Sequence, residues 1–243
     1  MGVELSHDAF LGGKLHVLQP KRGYRAGVDP VLLAASVPGK SGHSVLDLGC
    51  GVGTAALCLG ARVPDLDLTG VERDPFYANL AQRNGLPCHV ADLTLLPMEL
   101  RQRRFDHVLA NPPYFDRRAG VASGNARREG ALGEETPLED WVQVAARRLK
   151  PKGFLHMIHR AERLPEILSS VRGLLGSIEV LPLVPRSGRD TELVILRARK
   201  EGRAQFRLHS PLVMHAGSSH EVDGDDYTEA VSRALRFGDS LNW

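Results

Sequence analysis

Short apolar runs alternate with amphipathic stretches along most of the chain, and turn residues rich in glycine and proline separate them. An apolar run that leads directly into turn residues is typical of a buried strand, whereas apolar residues at helical spacing indicate a helix packed on a sheet. This pattern predicts strands at residues 44–47, 66–72, 88–91, 105–110, 153–158, 178–184 and 192–197. Helices are predicted at residues 54–61, 74–85, 136–149 and 163–175.

Two of these helices carry recognisable start signals. Asp74 and Pro75 supply an N-cap and a first-turn proline. Thr136 and Glu139 have the spacing of a capping box, in which each side chain bonds the other residue's backbone N–H. We therefore expect well-defined helices after the second and fourth strands.

The alternation of strands and helices predicts an α/β fold, a doubly wound and mostly parallel seven-stranded sheet with helices on both faces. The last two strands have only the turn-rich sequence PRSGRD between them, which indicates an antiparallel hairpin at one edge. One compact domain is expected, with residues 1–43 as an N-terminal arm and residues 44–243 as the sheet domain. The long irregular stretch at 115–135 is expected to be functional or disordered.

Composition narrows the class of protein. At 243 residues, with 42% hydrophobic and 25% charged residues, the chain can bury a core without disulfides or metals, which excludes a small stapled scaffold. No stretch is long and apolar enough to span a membrane, and the first residues do not resemble a signal peptide. We therefore expect no membrane partner. Cys50, Cys58 and Cys88 form no CxxC pair, so we expect unpaired thiols in a reducing compartment and a cytoplasmic protein.

A glycine-rich turn follows the first predicted strand of the sheet domain. The sequence DLGCGVG places Gly49, Gly51 and Gly53 after Asp47, whereas a dinucleotide fingerprint needs its third glycine one residue later, at Thr54. The turn therefore favours a ligand without a pyrophosphate. S-adenosylmethionine fits, because small residues let the backbone approach the ligand and Asp47 can attract its ammonium group.

Two more acidic residues follow the next two strands. Glu72 is placed to accept hydrogen bonds from ribose hydroxyls, and Asp92 from an adenine amino group. Carboxyl ends of strands are where open α/β sheets bind ligands. The alternative is that both residues only cap the next helix.

The tetrapeptide Asn111-Pro112-Pro113-Tyr114 follows the fourth strand of the sheet domain. Each proline removes a donor and fixes φ, so the turn is rigid and rich in carbonyl oxygens. The Asn111 side chain and the Pro112 carbonyl could accept both N–H bonds of a conjugated amino group, and Tyr114 could stack on its plane. In-line methyl transfer would then depend on positioning and electrostatics. The alternative is a proline-stiffened turn in which Asn111 satisfies the local backbone.

VLDLGCGVG, VERDP and NPPY resemble the class I S-adenosylmethionine-dependent methyltransferases that modify amino groups, over residues 44–160. GYRAGVDPVLLAAS and LVMHAGSSHEVDGDDYTEAVSRAL are similar to the bacterial tRNA1(Val) adenine-37 N6-methyltransferases. The resemblance implies a Rossmann-like fold, S-adenosyl-L-methionine as cofactor, and methylation of adenine N6 in tRNA. It also implies that Val28 and Asp29 help to close the cofactor pocket, although Asp29-Pro30 is equally typical of a helix start.

Three other functions stay open. NPPY also occurs in release-factor glutamine N5-methyltransferases, but the 43 residues before Ser44 are too few for the helical domain of that family. The rRNA guanine N2-methyltransferases resemble the chain as well, but they tend to have phenylalanine after the prolines and a duplicated domain. A non-catalytic module that binds S-adenosylmethionine is disfavoured by the intact NPPY.

Four arginines between Tyr114 and the next helix are candidates for binding substrate. Arginine can bind phosphates or stack on bases, so this stretch fits an RNA partner, and tRNA in particular. The alternative is a solvated surface. The four are Arg117, Arg118, Arg127 and Arg128.

No metal site is expected. His156 and His159 are the nearest pair, but in a strand they point to opposite faces, because side chains alternate with a period of two. The sequence does not indicate an oligomeric state.

Overall fold

The computed structural model describes residues 3–114, 136–217 and 226–243, and the account below covers these ranges. Its strands are β1 (Leu5–Phe10), β2 (Leu15–Pro20), β3 (Ser44–Leu48), β4 (Asp67–Glu72), β5 (Cys88–Val90), β6 (Phe105–Ala110), β7 (Leu149–Arg160), β8 (Gly176–Val184), β9 (Leu193–Arg199), β10 (Arg207–Leu208) and β11 (Leu212–Val213). Its helices are α1 (Asp29–Ala35), α2 (Thr54–Arg62), α3 (Pro75–Arg83), α4 (Met98–Gln102), α5 (Leu138–Arg148), α6 (Leu164–Val171) and α7 (Glu229–Phe237).

The predicted doubly wound sheet is confirmed. The strand order is β10-β8-β9-β7-β6-β3-β4-β5. Strand β11 also pairs with β8, at Leu183 and Val184, further along the strand than β10. Strands β5, β4, β3, β6 and β7 run parallel to one another, whereas β9 runs antiparallel to both β7 and β8. The seven predicted strands form the body of the sheet, with the β8–β9 hairpin towards one edge. Strands β10 and β11 were not predicted, because two residues carry no readable alternation.

Local start signals gave one correct and one wrong prediction. Asp74 caps α3, since its Oδ1 accepts a hydrogen bond from the Phe76 N–H at 2.8 Å. The capping box at Thr136 is wrong: α5 begins at Leu138 after Pro137, without a side-chain cap. Thr136 precedes a proline, which disfavours helical geometry, and so it lies one residue too early to cap this helix.

The N-terminal residues fold against the sheet domain and include a hairpin that the sequence pattern did not predict. Strands β1 and β2 pair in register from Leu5 with Pro20 to Phe10 with Leu15. Helix α1 begins at Asp29 with Pro30 in its first turn, as the helix-start reading expects, and its residues from Pro30 to Ala35 are buried. Residues 3–37 therefore contribute to the core.

Apolar side chains fill both faces of the sheet. One cluster lies between the sheet and α4, α5 and α6, and includes the fully buried Phe105 together with Trp141. The other lies under α1, α2 and α7. The expectation that Trp141 is a core residue is confirmed, since 6% of it is exposed. All three cysteines are buried and free, as expected.

The described residues contain neither a membrane-spanning helix nor a cluster of metal ligands. No helix in the described ranges is long and apolar enough to cross a bilayer. Within the same ranges, no three histidine, cysteine or acidic side chains are grouped as metal ligands.

Candidate active site

The polar residues singled out in the sequence gather where β3, β4 and β6 end. The loops after these parallel strands meet at one edge of the sheet, and the N-terminal arm lies against the same edge through Tyr24 and Asp29. This is the edge at which open α/β sheets bind their ligands.

The glycine loop after β3 has a left-handed backbone at all three predicted glycines, with φ of +62° at Gly49, +55° at Gly51 and +91° at Gly53. At Gly49 a Cβ atom would also lie 2.4 Å from Cη2 of Trp141, which is far inside van der Waals contact. A side chain is therefore excluded at Gly49 by a packed tryptophan as well as by backbone conformation. The sequence analysis explained this glycine only by the close approach of a ligand, and contact with Trp141 is a second reason.

Asp47 lies beneath this loop with 2% of its surface exposed. Its Oδ2 accepts one hydrogen bond, from the Ala56 N–H in the first turn of α2, at a long 3.3 Å. Burial raises the pKa of Asp47 to about 7, with the charge of Glu72 adding to the effect. A buried carboxylate with a single weak donor is under-satisfied, and a cation is the group that complements it.

Glu72 joins two backbone segments. Its Oε2 accepts from the Gly51 N–H and its Oε1 from the Asp74 N–H, both at 2.9 Å. Burial raises the pKa of Glu72, and these two N–H donors oppose the rise. The side chain thus fixes the glycine loop relative to the start of α3.

Asp92 caps a short 3-10 turn at Leu93–Leu95. Its Oδ1 accepts from the Thr94 N–H at 2.8 Å and from the Thr94 hydroxyl at 2.6 Å. Asp92 therefore does cap the next helical turn, and these two bonds both use Oδ1. The charge of Arg73 also acts on this carboxylate.

Tyr24 is a residue of this site that sequence reasoning missed. Its ring lies 3.4 Å from the position of a Cβ on Gly51, and its N–H donates to the Tyr77 hydroxyl at 3.1 Å. Burial, followed by the charges of Asp29 and Asp47, raises the pKa of Tyr24. An aromatic residue a few positions before Asp29 was the only available signal.

Asn84 was also missed, although it ties the arm to the glycine loop. Its Oδ1 accepts from the Leu18 N–H at 2.8 Å, and its Nδ2 donates to the Leu18 carbonyl at 3.1 Å and the Val52 carbonyl at 3.0 Å. These bonds connect β2, the end of α3 and the loop. Nothing in the local sequence indicates such long-range partners.

The Asn-Pro-Pro-Tyr turn leaves β6 at Ala110, between β3 and β7. Asn111 is half-buried, and its side chain makes no hydrogen bond with any residue in the described ranges. The alternative in which Asn111 satisfies the local backbone therefore has no partner among the described residues, and residues 115–135 lie outside them. Its amide oxygen is available to a ligand.

Tyr114 is held from two sides. Its hydroxyl donates to Oδ2 of Asp29 at 2.6 Å, and its ring centroid lies 5.3 Å from that of His159 at an interplanar angle of 57°. Burial and the neighbouring Asp29 carboxylate raise the pKa of Tyr114. The structure thus brings together Asp29 and Tyr114, which the sequence assigned to separate roles.

His159 is fully buried behind the same turn. Its Nδ1 accepts from the Arg160 N–H at 2.8 Å, so the ring proton lies on Nε2. Burial and the charge of Arg163 lower the pKa of His159 to about 4. The imidazole is therefore neutral at pH 7. The four arginines assigned to substrate, Arg117, Arg118, Arg127 and Arg128, lie outside the described residues.

Comparison with known proteins shows the family of the chain. The family model described as the methyltransferase small domain matches residues 27–181, which is more than half of the chain. The chain belongs to the methyltransferase small-domain family. The match begins just before α1 and ends in β8, so it includes Asp29, the glycine loop and the Asn-Pro-Pro-Tyr turn. The predicted class of enzyme, a methyltransferase, is confirmed.

Curated relatives share most of their length with this methyltransferase. A tRNA1(Val) (adenine(37)-N6)-methyltransferase of Actinobacillus succinogenes is 29% identical over 204 residues, covering 80% of this chain and 84% of the relative. One of the same name from Mannheimia succiniciproducens is 34% identical over 167 residues, covering 65% and 68%. The resemblance inferred from the motifs is thereby confirmed.

Solved structures agree on the fold. A predicted O-methyltransferase, protein Atu636 from Agrobacterium tumefaciens, superposes with a TM-score of 0.71 at 27% identity, covering 88% of this chain and 98% of that one. A 16S rRNA N2 G1207 methyltransferase of Thermus thermophilus, in complex with AdoMet and guanosine, gives a TM-score of 0.55 at 24% identity, covering 83% and 46%. The second likeness bears on the fold alone.

Proposed function

We propose that this methyltransferase transfers the methyl group of S-adenosyl-L-methionine to an exocyclic amino group, adenine N6 of a tRNA, at position 37 of a tRNA1(Val)-type substrate. The observation that carries the proposal is the uncommitted Asn111 amide on a proline-fixed turn, at the same sheet edge as the acid-lined glycine loop. The curated relatives have this activity in their names and support the finer assignment.

The residues of the glycine loop suit the cofactor. Asp47 is a buried, under-satisfied carboxylate that would pair with the ammonium group, and Glu72, fixed by its N–H donors, would accept from the ribose hydroxyls. Asp92 would accept from the adenine amino group through Oδ2. The loop glycines Gly49, Gly51 and Gly53 would pass alongside the ligand. When bound, S-adenosylmethionine supplies the electrophilic methyl carbon.

The arm of residues 1–43 would close this pocket over the sheet domain of residues 44–243. Tyr24 covers Gly51, and Asn84 anchors β2 to the loop. Val28 and Asp29, at the start of α1, would form the adjoining wall.

The chemistry at the acceptor follows from the turn. The Asn111 amide oxygen and the Pro112 carbonyl would accept the two N–H bonds of the amino group, which turns its lone pair away from the conjugated ring and towards the methyl carbon. As the N–C bond forms, the sulfur would keep the electron pair of the broken S–C bond, and the nitrogen would release one of its protons to water. Pro113 keeps the turn rigid, and Tyr114 would stack on the base. Positioning and oriented dipoles, rather than a strong base, would supply the acceleration.

An O-methyltransferase is the first alternative, because a similar solved structure carries that description. A hydroxyl acceptor needs a base to remove its proton, and the groups around Asn111 do not suit that role. His159 is a buried base beside Tyr114, but its Nδ1 lone pair is already engaged by the Arg160 N–H. The Asp29 carboxylate already accepts the hydroxyl hydrogen of Tyr114. Two carbonyl-type acceptors instead match the two N–H bonds of an amino group.

A methyl-transfer assay separates the remaining candidates. The protein is incubated with methyl-labelled S-adenosylmethionine and, in parallel, with unmodified tRNA, ribosomal RNA or purified release factors, and labelled RNA is digested to nucleosides. The proposal expects label in tRNA that runs as N6-methyladenosine. Label in N2-methylguanosine would indicate an rRNA guanine N2-methyltransferase, and label in release factor would indicate a glutamine N5-methyltransferase. Cofactor binding without any labelled acceptor would indicate a binding module.

A further inference from the structure

The tyrosine of the Asn-Pro-Pro-Tyr turn is bonded to a residue far away in the sequence. Tyr114 donates its hydroxyl hydrogen to Asp29 Oδ2 at 2.6 Å, across a separation of 85 residues. A hydrogen bond of this length to a carboxylate is of the strong, charge-assisted type. This contact connects the N-terminal arm directly to the turn that carries Asn111.

Asp29 sits on a rigid support. It is the first residue of α1, and every following residue of that helix, from Pro30 to Ala35, is buried. The helix packs on α2, β7 and α7. The backbone of Asp29 is therefore held by a core helix, and its carboxylate can hold the hydroxyl of Tyr114 from a fixed point.

His159 supports the ring of Tyr114 from another direction. The imidazole is fully buried and is oriented by the Arg160 N–H, and the two ring centroids are 5.3 Å apart. Together Asp29 and His159 restrain the two degrees of freedom of a tyrosine side chain, the direction of its axis and the tilt of its ring. A flat partner then meets an aromatic surface whose plane is already set.

We propose that Asp29 is a positioning residue for methyl transfer, which holds the Tyr114 ring against His159 in the plane on which the acceptor base stacks beside Asn111. The inference rests on the proposed function and deepens it. The rate of methyl transfer falls steeply when the acceptor is misplaced. Loss of the Asp29–Tyr114 hydrogen bond should therefore lower kcat more than it weakens cofactor binding.

Four variants test this in the full-length enzyme. Tyr114→Phe removes the donor and keeps the ring, Asp29→Ala removes the acceptor, Asp29→Asn keeps an acceptor oxygen, and the fourth combines Asp29→Ala with Tyr114→Phe. Tyr227→Phe is the matched control for loss of a hydroxyl elsewhere. The measurements are kcat and KM for tRNA, and Kd for S-adenosylmethionine.

Asp29→Ala and Tyr114→Phe should each lower kcat by about 10- to 100-fold. Cofactor Kd should stay within about twofold of the parent in Tyr114→Phe. Asp29→Ala also removes part of the proposed pocket wall, so only the loss of kcat that disappears in the Tyr114→Phe background is assigned to positioning. In the Tyr114→Phe background Asp29→Ala should add less than about twofold, because its partner is already gone. Asp29→Asn should recover most of kcat, and Tyr227→Phe should match the parent. Equal losses from Asp29→Ala in both backgrounds would show that Asp29 acts elsewhere.

A spectroscopic readout keeps the two proposals separable. With four tyrosines in the chain, ¹³C-ring-labelled tyrosine gives four signals, and Tyr114→Phe assigns the one from Tyr114. Asp29→Ala should move or broaden that signal and leave the Tyr227 signal, which Tyr227→Phe assigns, in place. An unmoved Tyr114 signal would overturn the positioning role. A moved signal in an enzyme that labels no tRNA would overturn the proposed function alone.

Discussion

At the scale of single residues, Asn111 has the clearest chemical assignment, because its side chain has no competing partner among the described residues. Replacing Asn111 by alanine removes one of two proposed acceptors for the amino group. We expect kcat to fall by about 100- to 1,000-fold, as for the loss of one preorganised hydrogen bond at a reacting centre. Cofactor Kd, measured by calorimetry, should stay within about twofold of the parent. Turnover close to that of the parent would remove Asn111 from the chemistry.

Gly49 shows that a motif residue can be required by packing. Gly49→Ala would place a Cβ 2.4 Å from Trp141 in a left-handed backbone, whereas Gly85→Ala, at φ +96°, meets nothing within 4 Å. We expect Gly85→Ala to lower the free energy of unfolding by about 1 kcal/mol from backbone strain alone. Gly49→Ala should cost about 1 to 3 kcal/mol more, from the clash with the indole. Urea unfolding of both variants measures the difference, and equal losses would show that the tryptophan moves aside cheaply.

At the scale of elements, sequence patterns located strands better than they located contacts. Strand β6 was predicted with its observed bounds, because its apolar residues end at the Asn-Pro-Pro turn and can be located without tertiary information. The hairpin of β1 and β2 was missed, since it depends on packing against Val52 and Tyr77 rather than on its own alternation. The residues of the site also fall into two groups, those that the sequence pattern located and those that it missed. Asp47, Glu72 and Asn111 are marked by strand ends, whereas Tyr24, Asn84 and the Asp29–Tyr114 bond arise only when distant segments fold together.

The arginines after Tyr114 lie outside the described residues, so their role in binding RNA is inferred from the sequence. Arg117→Ala combined with Arg118→Ala should weaken tRNA binding and reduce the dependence of log K on log salt concentration by about 1 to 2. Cofactor affinity should be unchanged. The matched control is Arg203→Ala combined with Arg207→Ala, which removes two exposed arginines near β10, away from the carboxyl ends of the central strands. Salt slopes equal to that of the parent would show that residues 117 and 118 do not bind phosphate.

At the scale of the whole molecule, a chain of histidines runs from the surface into the core on the side of the sheet that carries α2. His43 Nδ1 lies 3.0 Å from His107 Nε2, and His107 Nδ1 lies 3.2 Å from His156 Nε2. Since neutral imidazole has one donor and one acceptor, the bonds can run in one direction, from His156 through His107 to His43. With this direction, every interior nitrogen of the three linked rings is bonded except His156 Nδ1, whose lone pair has no partner among the described residues.

This chain should make the fold sensitive to mild acid. Burial, then the charge of neighbouring groups, lowers the pKa of His107 to about 4 and lowers that of His156 well below its usual value. Unfolded histidine binds a proton near pH 6.5, so the unfolded state gains protons first, and stability present above pH 6.5 is lost as the pH falls towards 4. Each such histidine should cost about 1 to 2 kcal/mol between pH 7 and pH 5. Urea unfolding at the two pH values measures the loss.

His156→Gln isolates one member of the chain, because an amide can still donate to His107 but cannot take up a proton. The free energy of unfolding of this variant should change less between pH 7 and pH 5 than that of the parent, by about 1 to 2 kcal/mol. His7→Gln, at an exposed position on β1, is the matched control and should keep the pH dependence of the parent. If His156→Gln lost as much stability between pH 7 and pH 5 as the parent, proton uptake by His156 on unfolding would not be what weakens the fold in acid.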